Sequence, residues 1–145
     1  LIFLTVEFAI GRVLVANGTA EKISSLLTGV SPNPASVFYI PFIILMIILF
    51  HMLMGSLVTA VTVLIPTLLA TTTGNLSSIF IVLLTCTTIA FQFILPFHHV
   101  SIMIGYGSGF YDSKQVLKIG GVLTIVTIVT VLVFYVPWWR LMGLL

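Results

Sequence analysis

Along this chain, long apolar runs alternate with short polar or glycine- and proline-containing breaks, and the runs predict helices. Residues 1–16 read as the end of a spanning helix, closed by Asn17-Gly18. Residues 19–29 carry Thr19 as a candidate cap, Glu21 and Lys22 in the first turn, and Ile23, Leu26 and Leu27 on one face. That pattern predicts an interfacial amphipathic helix. Ser31-Pro32-Asn33-Pro34 predicts a turn, because each proline holds its predecessor extended. Residues 35–73 form two apolar arms that meet at Gly55-Ser56. Two readings fit them: a re-entrant hairpin, or two crossing helices with a very tight connection. Both arms are apolar all round, so periodicity does not choose; the hairpin is the expectation carried forward.

The most informative break lies between Leu95 and Gly109, within a segment that spans residues 76–118. Leu76 to Leu95 predicts a helix long enough to cross, which Pro96 ends by removing a backbone donor. His98, His99 and Ser101 follow, then Gly105, Gly107 and Gly109. Irregular backbone at hydrocarbon depth is tolerated only where it is buried in protein or lines a cavity, so the break marks a candidate transport site. Residues 119–139 predict the last span, with Tyr135, Trp138, Trp139 and Arg140 as an aromatic and cationic belt. Thr85, Thr87 and Thr88 are expected to bond back to their helix. Gln92, harder to satisfy alone, is expected to face protein or the cavity.

Composition fixes the environment of these helices. Hydrophobic residues make up 60% of the chain and charged residues 6%, against about a quarter charged in a soluble domain. The mean hydropathy is +1.34. The class is all-α integral membrane protein. A net charge of +2 spread over scattered basic residues gives no sign of a nucleic-acid partner. Cys86 stands alone in an apolar run and reads as a small buried hydrophobe. The chain begins at Leu1 inside an apolar run, as expected of a piece cut from a longer protein.

Several residues could carry chemistry. Glu7 is a carboxylate within the first apolar segment, either a functional group or one bonded to a neighbour. Histidine changes charge near neutral pH, with an unperturbed pKa of about 6.5. His98 and His99 at the break, and His51 near the hairpin tip, are therefore candidates for pairing with an anion or carrying a proton; the alternative is neutral rings bonded to carbonyls freed by Pro96. Two adjacent histidines with no nearby cysteine or carboxylate do not make a structural or catalytic metal site. Gly105 suits close packing, and Gly107-Ser108 suits a loop with amides near an anion. No Gly-x-Ser-x-Gly or His-Glu-x-x-His motif is present, so catalysis finds no support.

Gly18 before the 19–29 arm, Ser56 ten residues before Pro66, Leu95-Pro96 and Gly107-Ser108-Gly109 follow one another in a distinctive order. Together they resemble the carboxyl-terminal repeat of the divalent anion/sodium symporter family, whose members carry dicarboxylates, citrate or sulfate. The resemblance implies an inverted-repeat transporter fragment comprising the arm, the hairpin, the broken helix and a final span. It places Ser56 at the signature serine, and only Ser56 and the backbone of the break carry over directly; with the histidines read as replacing the family's lost contacts, the candidate substrate-binding residues are Ser56, His98, His99, Ser101, Gly107 and Ser108. Leu57 and Val58 stand where the family has Asn and Thr, and His99, Val100, Ser101 and Ile102 where it has Thr-Pro-Pro-Asn. Coupling by Na+ through backbone carbonyls, or by H+ through His51, His98, His99 or Glu7, are both open. No other cofactor is expected. The implied partners are a small anion, the lipid bilayer, the remaining half of the transporter and a second copy in a full-length homodimer. The implied location is a bacterial or archaeal inner (plasma) membrane. The alternative function is a non-transporting structural or assembly subunit, in which the break is only a kink.

Overall fold

A chain that is apolar over most of its length must close its backbone hydrogen bonds internally, and helices do so segment by segment. The computed structural model describes residues 5, 6, 9, 12, 13, 16–54, 56–72, 76–96 and 98–145, and every regular element among them is helical. In chain order these are α1 (Thr19–Val30), α2 (Tyr39–Met54), α3 (Leu57–Thr71), α4 (Ser78–Ala90), α5 (Val100–Gly107) and α6 (Ser113–Leu141). Of the amino-terminal segment, residues 5, 6, 9, 12, 13 and 16 are described, all helical. Glu7 lies outside the described residues, as do Gly55 and Phe97 and the side chains of Glu21 and Leu27.

Local hydrogen bonding sets the helix ends, and several differ from expectation. Gly18 turns with φ +76° and its carbonyl accepts from Lys22 N–H, so Gly18 rather than Thr19 opens α1. The Asn17 side chain braces this turn by accepting from Thr19 N–H at 3.1 Å. α2 begins at Tyr39 instead of residue 35, because Asn33 and Ser36 bond locally: Ser36 N–H donates to the Asn33 carbonyl, and Phe38 N–H donates to the Ser36 hydroxyl. α4 opens at Ser77, whose hydroxyl accepts from Phe80 N–H at 3.1 Å. It stops at Ala90, five residues earlier than the expected Leu95, and residues 91–99 form an irregular segment. α6 starts six residues earlier than expected, because Asp112 and Gln115 form a reciprocal capping box.

The core gathers Ile43, Ile44 and Ile47 of α2, Ala60, Leu64 and Leu68 of α3, Phe80, Ile81 and Leu84 of α4, and Val131 and Trp139 of α6. α1 packs on α3, while α2, α3 and α4 pack on one another. Trp139 seats edge-on against Phe80, with ring centroids 5.6 Å apart. The approach to that contact is a π-turn, Val131–Tyr135, in which Val136 N–H reaches the Val131 carbonyl. Pro137 follows at once and has no N–H for the Val133 carbonyl, which accounts for the altered ladder at this point. Cys86 is exposed, not buried, on the outer side of α4. On α6, Ile119, Val122, Ile125, Val129, Val133 and Phe134 also face outward. Among the described residues only α6 is long and apolar enough to cross a membrane alone.

The capping box yields a direct test. Asp112→Ala is expected to cost about 1 kcal/mol, read as a lower thermal midpoint in detergent and faster amide exchange at Gln115. Unchanged exchange there would show that the cap does not hold the start of α6.

Candidate functional site

Ile44, Ile47, Ile48 and His51 are buried at helical spacing along α2, so the histidine continues an inward apolar stripe into the last turn. There it meets the irregular segment. Gln92 is 1% exposed and His51 fully buried; His51 Nδ1 lies 2.9 Å from Gln92 Oε1, and Gln92 Nε2 donates to the Ile48 carbonyl at 3.0 Å. One side chain thus bonds twice to the other interrupted helix. Its position explains the early end of α4: Gln92 can reach α2 only after the chain has left the helix, where its own N–H closes a tight turn on the Ile89 carbonyl at 3.1 Å.

Below Pro96 the two adjacent histidines turn inward. His98 stacks on His51 with centroids 4.6 Å apart and planes at 29°, and His99 meets His51 edge-on at 6.4 Å. Leu95 N–H donates to His98 Nδ1 at 3.4 Å. The carbonyls of Met52 and Gln92 face His98, and the Ile89 carbonyl faces His99. Phe93 covers His99, with centroids 4.5 Å apart. On a helix adjacent side chains diverge, but in this irregular stretch both histidines approach His51. Among the described residues no three His, Cys, Asp or Glu side chains are arranged to hold a metal ion. Stacked rings present faces to one another, and their nitrogens do not converge on a point.

The other candidates lie apart in character. Ser56 is buried just past the hairpin tip, and its hydroxyl caps α3 by accepting from Thr59 N–H at 3.5 Å. Ser101 is exposed in the first turn of α5. Gly107 and Ser108 are exposed at its end and do not form the open loop expected of them. Gly107 is the last helical residue, Ser108 N–H bonds to the Ile104 carbonyl, and Gly109 takes φ +77° while the next two amides bond back to Tyr106 and Gly105. That is a Schellman closure, which commits the amides an anion would need. Gly105 packs as expected: a Cβ there would overlap the Tyr111 ring, whose hydroxyl donates to the Ile102 carbonyl at 2.8 Å. Thr85 back-bonds to Ile81, while the buried Thr88 hydroxyl has no partner among the described residues.

Sequence reasoning missed Gly120. A Cβ at this position would stand 2.2 Å from the Phe93 carbonyl oxygen, so α6 lies directly against the irregular backbone. The adjacent Gly120-Gly121 pair was the available signal of close helix approach. Beside this contact, a groove of about 420 Å³ runs between α6 and the break, lined by Phe93, Ile102, Tyr111, Val116, Ile119 and Leu123 among others. A second, of about 510 Å³, includes Leu95, Pro96, Met103 and Tyr106. Neither carries a charged side chain.

Residues 1–145 match the family described as the sodium:sulfate symporter transmembrane region. A protein of Cupriavidus necator, described as a membrane protein, is similar to this chain at 26% identity over 148 residues, covering 99% of the chain. The chain spans 29% of the length of that relative. No solved structure matches.

Gly120→Ala is expected to lower the thermal midpoint, because the clash falls on a backbone carbonyl that no rotamer change can move away. Gly121→Ala meets nothing within 4 Å and serves as its control. Equal midpoints for the two variants would refute the close approach of α6 to Phe93.

Proposed function

The chain belongs to the sodium:sulfate symporter family, and from that premise we propose that it forms half of the site of a secondary active transporter for a small anion. The observation that carries this reading is the meeting of two interrupted helical segments through His51, Gln92 and the Ile48 carbonyl. Secondary transporters bind substrate and ions at such discontinuities, where unwound backbone lines a cavity between repeats. The 16, 15 and 13 residues of α2, α3 and α4 each extend about 20–24 Å at 1.5 Å per residue. A bilayer core is about 30 Å thick. These lengths support a hairpin of α2 and α3 that enters and leaves on one side, facing a helix broken at 91–99. The remaining part of the transporter supplies the other half of the site.

In this reading the substrate is a dicarboxylate, a tricarboxylate or sulfate, moved with Na+ or H+. Ser56 contributes its hydroxyl beside the hairpin tip, and the half-buried His99 contributes a ring nitrogen. His98 packs behind them. Ser101 on α5 and Ser108 at its end offer hydroxyls to substrate where the other half closes over them, and Gly107 admits close approach. The full-length protein works as a homodimer in a bacterial or archaeal inner membrane; the Cupriavidus necator relative, described as a membrane protein, supports the membrane placement alone.

The test is uptake by full-length protein in proteoliposomes, with labelled sulfate, succinate and citrate and separately imposed Na+ and H+ gradients. At least one anion is expected to accumulate under one gradient, and Ser56→Ala is expected to reduce its uptake about tenfold, the loss of one buried hydrogen bond to a charged group. Failure of all three anions under both gradients would reject transport and favour a structural subunit.

A further inference from the structure

Hydrogen-bond directions determine where the ring protons sit at the junction of α2 and the break. The Ile48 carbonyl can only accept, so the Gln92 nitrogen faces it and the Gln92 oxygen faces His51. That oxygen also only accepts, so His51 Nδ1 carries the hydrogen and, in the neutral ring, Nε2 holds a bare lone pair. His51 Nε2 is buried with no hydrogen-bond partner among the described residues. His98 has the opposite assignment: Leu95 N–H donates to its Nδ1, which leaves the ring hydrogen on Nε2. The junction therefore holds a basic lone pair whose direction a second side chain fixes, at His51; His99 Nε2 is also buried without a partner among the described residues, and the Gln92 bond is what singles out His51.

We propose that His51 Nε2 is a proton-binding atom, that Gln92 is the positioning residue that directs it, and that the proton binds together with the transported anion. The last part rests on the transport reading above. Uptake converts the Nε2 lone pair into an N–H bond and leaves the ring with one positive charge. The Nδ1–H···Oε1 bond survives the change and becomes charge-assisted, so no rearrangement is needed. No Asp, Glu, Lys or Arg occurs in α2, α3, α4 or residues 91–99. The titratable groups facing His51 are His98 at 4.6 Å and His99 at 6.4 Å between centroids. Neither can supply negative charge. An imidazolium here is uncompensated within these elements, and a buried uncompensated charge is strongly disfavoured. An anion entering at the break provides the missing charge. By linkage, proton and anion then favour each other's binding by the same factor. Leu57 and Val58 offer no side-chain oxygen to a metal cation at the hairpin tip, so Na+ there would rest on backbone carbonyls and Ser56, whereas a proton has a fixed acceptor at His51 Nε2.

The experiment uses full-length protein with ¹⁵N-labelled histidine in lipid bilayers, read by ring-nitrogen NMR. At neutral pH without anion, His51 is expected to show hydrogen on Nδ1 and a bare Nε2. At a fixed pH, added sulfate, succinate or citrate is expected to raise the ratio of doubly to singly protonated His51 about tenfold, within the usual range of coupling between sites. Gln92→Leu, with helix content checked by circular dichroism, is expected to mix the two His51 tautomers and weaken the anion response. A reversed tautomer, or a ring unchanged by all three anions, overturns the proposal. Anion uptake by a protein whose His51 stays neutral rejects this inference while leaving the transport reading intact. A His51 that responds to an anion the protein cannot carry across rejects only transport.

Discussion

Gln92 makes the contact on which the arrangement of this chain depends. Backbone in a hydrocarbon environment stays helical unless its polar groups find partners inside the protein. Gln92 leaves the helix and fastens the irregular segment to α2 through Ile48 and His51, across 44 and 41 residues of sequence. Once the segment is held there, His98 and His99 close onto His51 and cover its ring. Gly120 then lets α6 lie against the Phe93 carbonyl on the other side. The break is thus enclosed from two directions, by α2 and by the long apolar helix.

The locations of the breaks were legible in the sequence because residues such as Pro96, Gly18 and Ser56 act locally. A proline removes a donor whatever surrounds it, and a glycine admits positive φ in any context. Family membership was legible for the same reason: the order and spacing of backbone breakers persist where Leu57 and Val58 replace the expected polar side chains. What depends on distant partners was hidden. The end of α4 at Ala90 follows from the reach of Gln92 to His51 and Ile48, partners 41 and 44 residues away that local pattern does not identify. The inward face of α4 was equally hidden, because its polar positions do not mark the outside: Thr85 and Thr88 are buried, while Val82, Leu83 and Cys86 are exposed. Gly107-Ser108-Gly109 looked like a flexible loop, yet Gly109 alone takes positive φ, where it closes a helix.

The candidate residues identified from sequence separate by physical character. Ser101 and Gly107 are exposed on α5, a helix with no buried residue, and Ser108 is exposed at its end. His51, His98 and Gln92 are buried by neighbours already present. A residue satisfied within its own fold is more readily structural, and on burial alone the histidine cluster would count as packing. Proton bookkeeping argues otherwise. Packing would be served by apolar side chains of similar volume, without the desolvation of ring nitrogens. A cluster kept only to satisfy freed carbonyls would direct its hydrogens outward to them.

His51 is oriented differently. Its hydrogen is used on Gln92 and its lone pair is left without a donor, at an atom that accepts a proton without disturbing any bond already made. Leaving such an acceptor unmet costs about 1–3 kcal/mol. An isosteric apolar residue would avoid that cost, and so would a side chain that fills both positions. The stacked rings also disfavour two charges at once, since like charges repel strongly at low dielectric. The junction is therefore limited to a single added proton. With no carboxylate on the surrounding elements, the stability of that protonated form depends on negative charge brought from outside them.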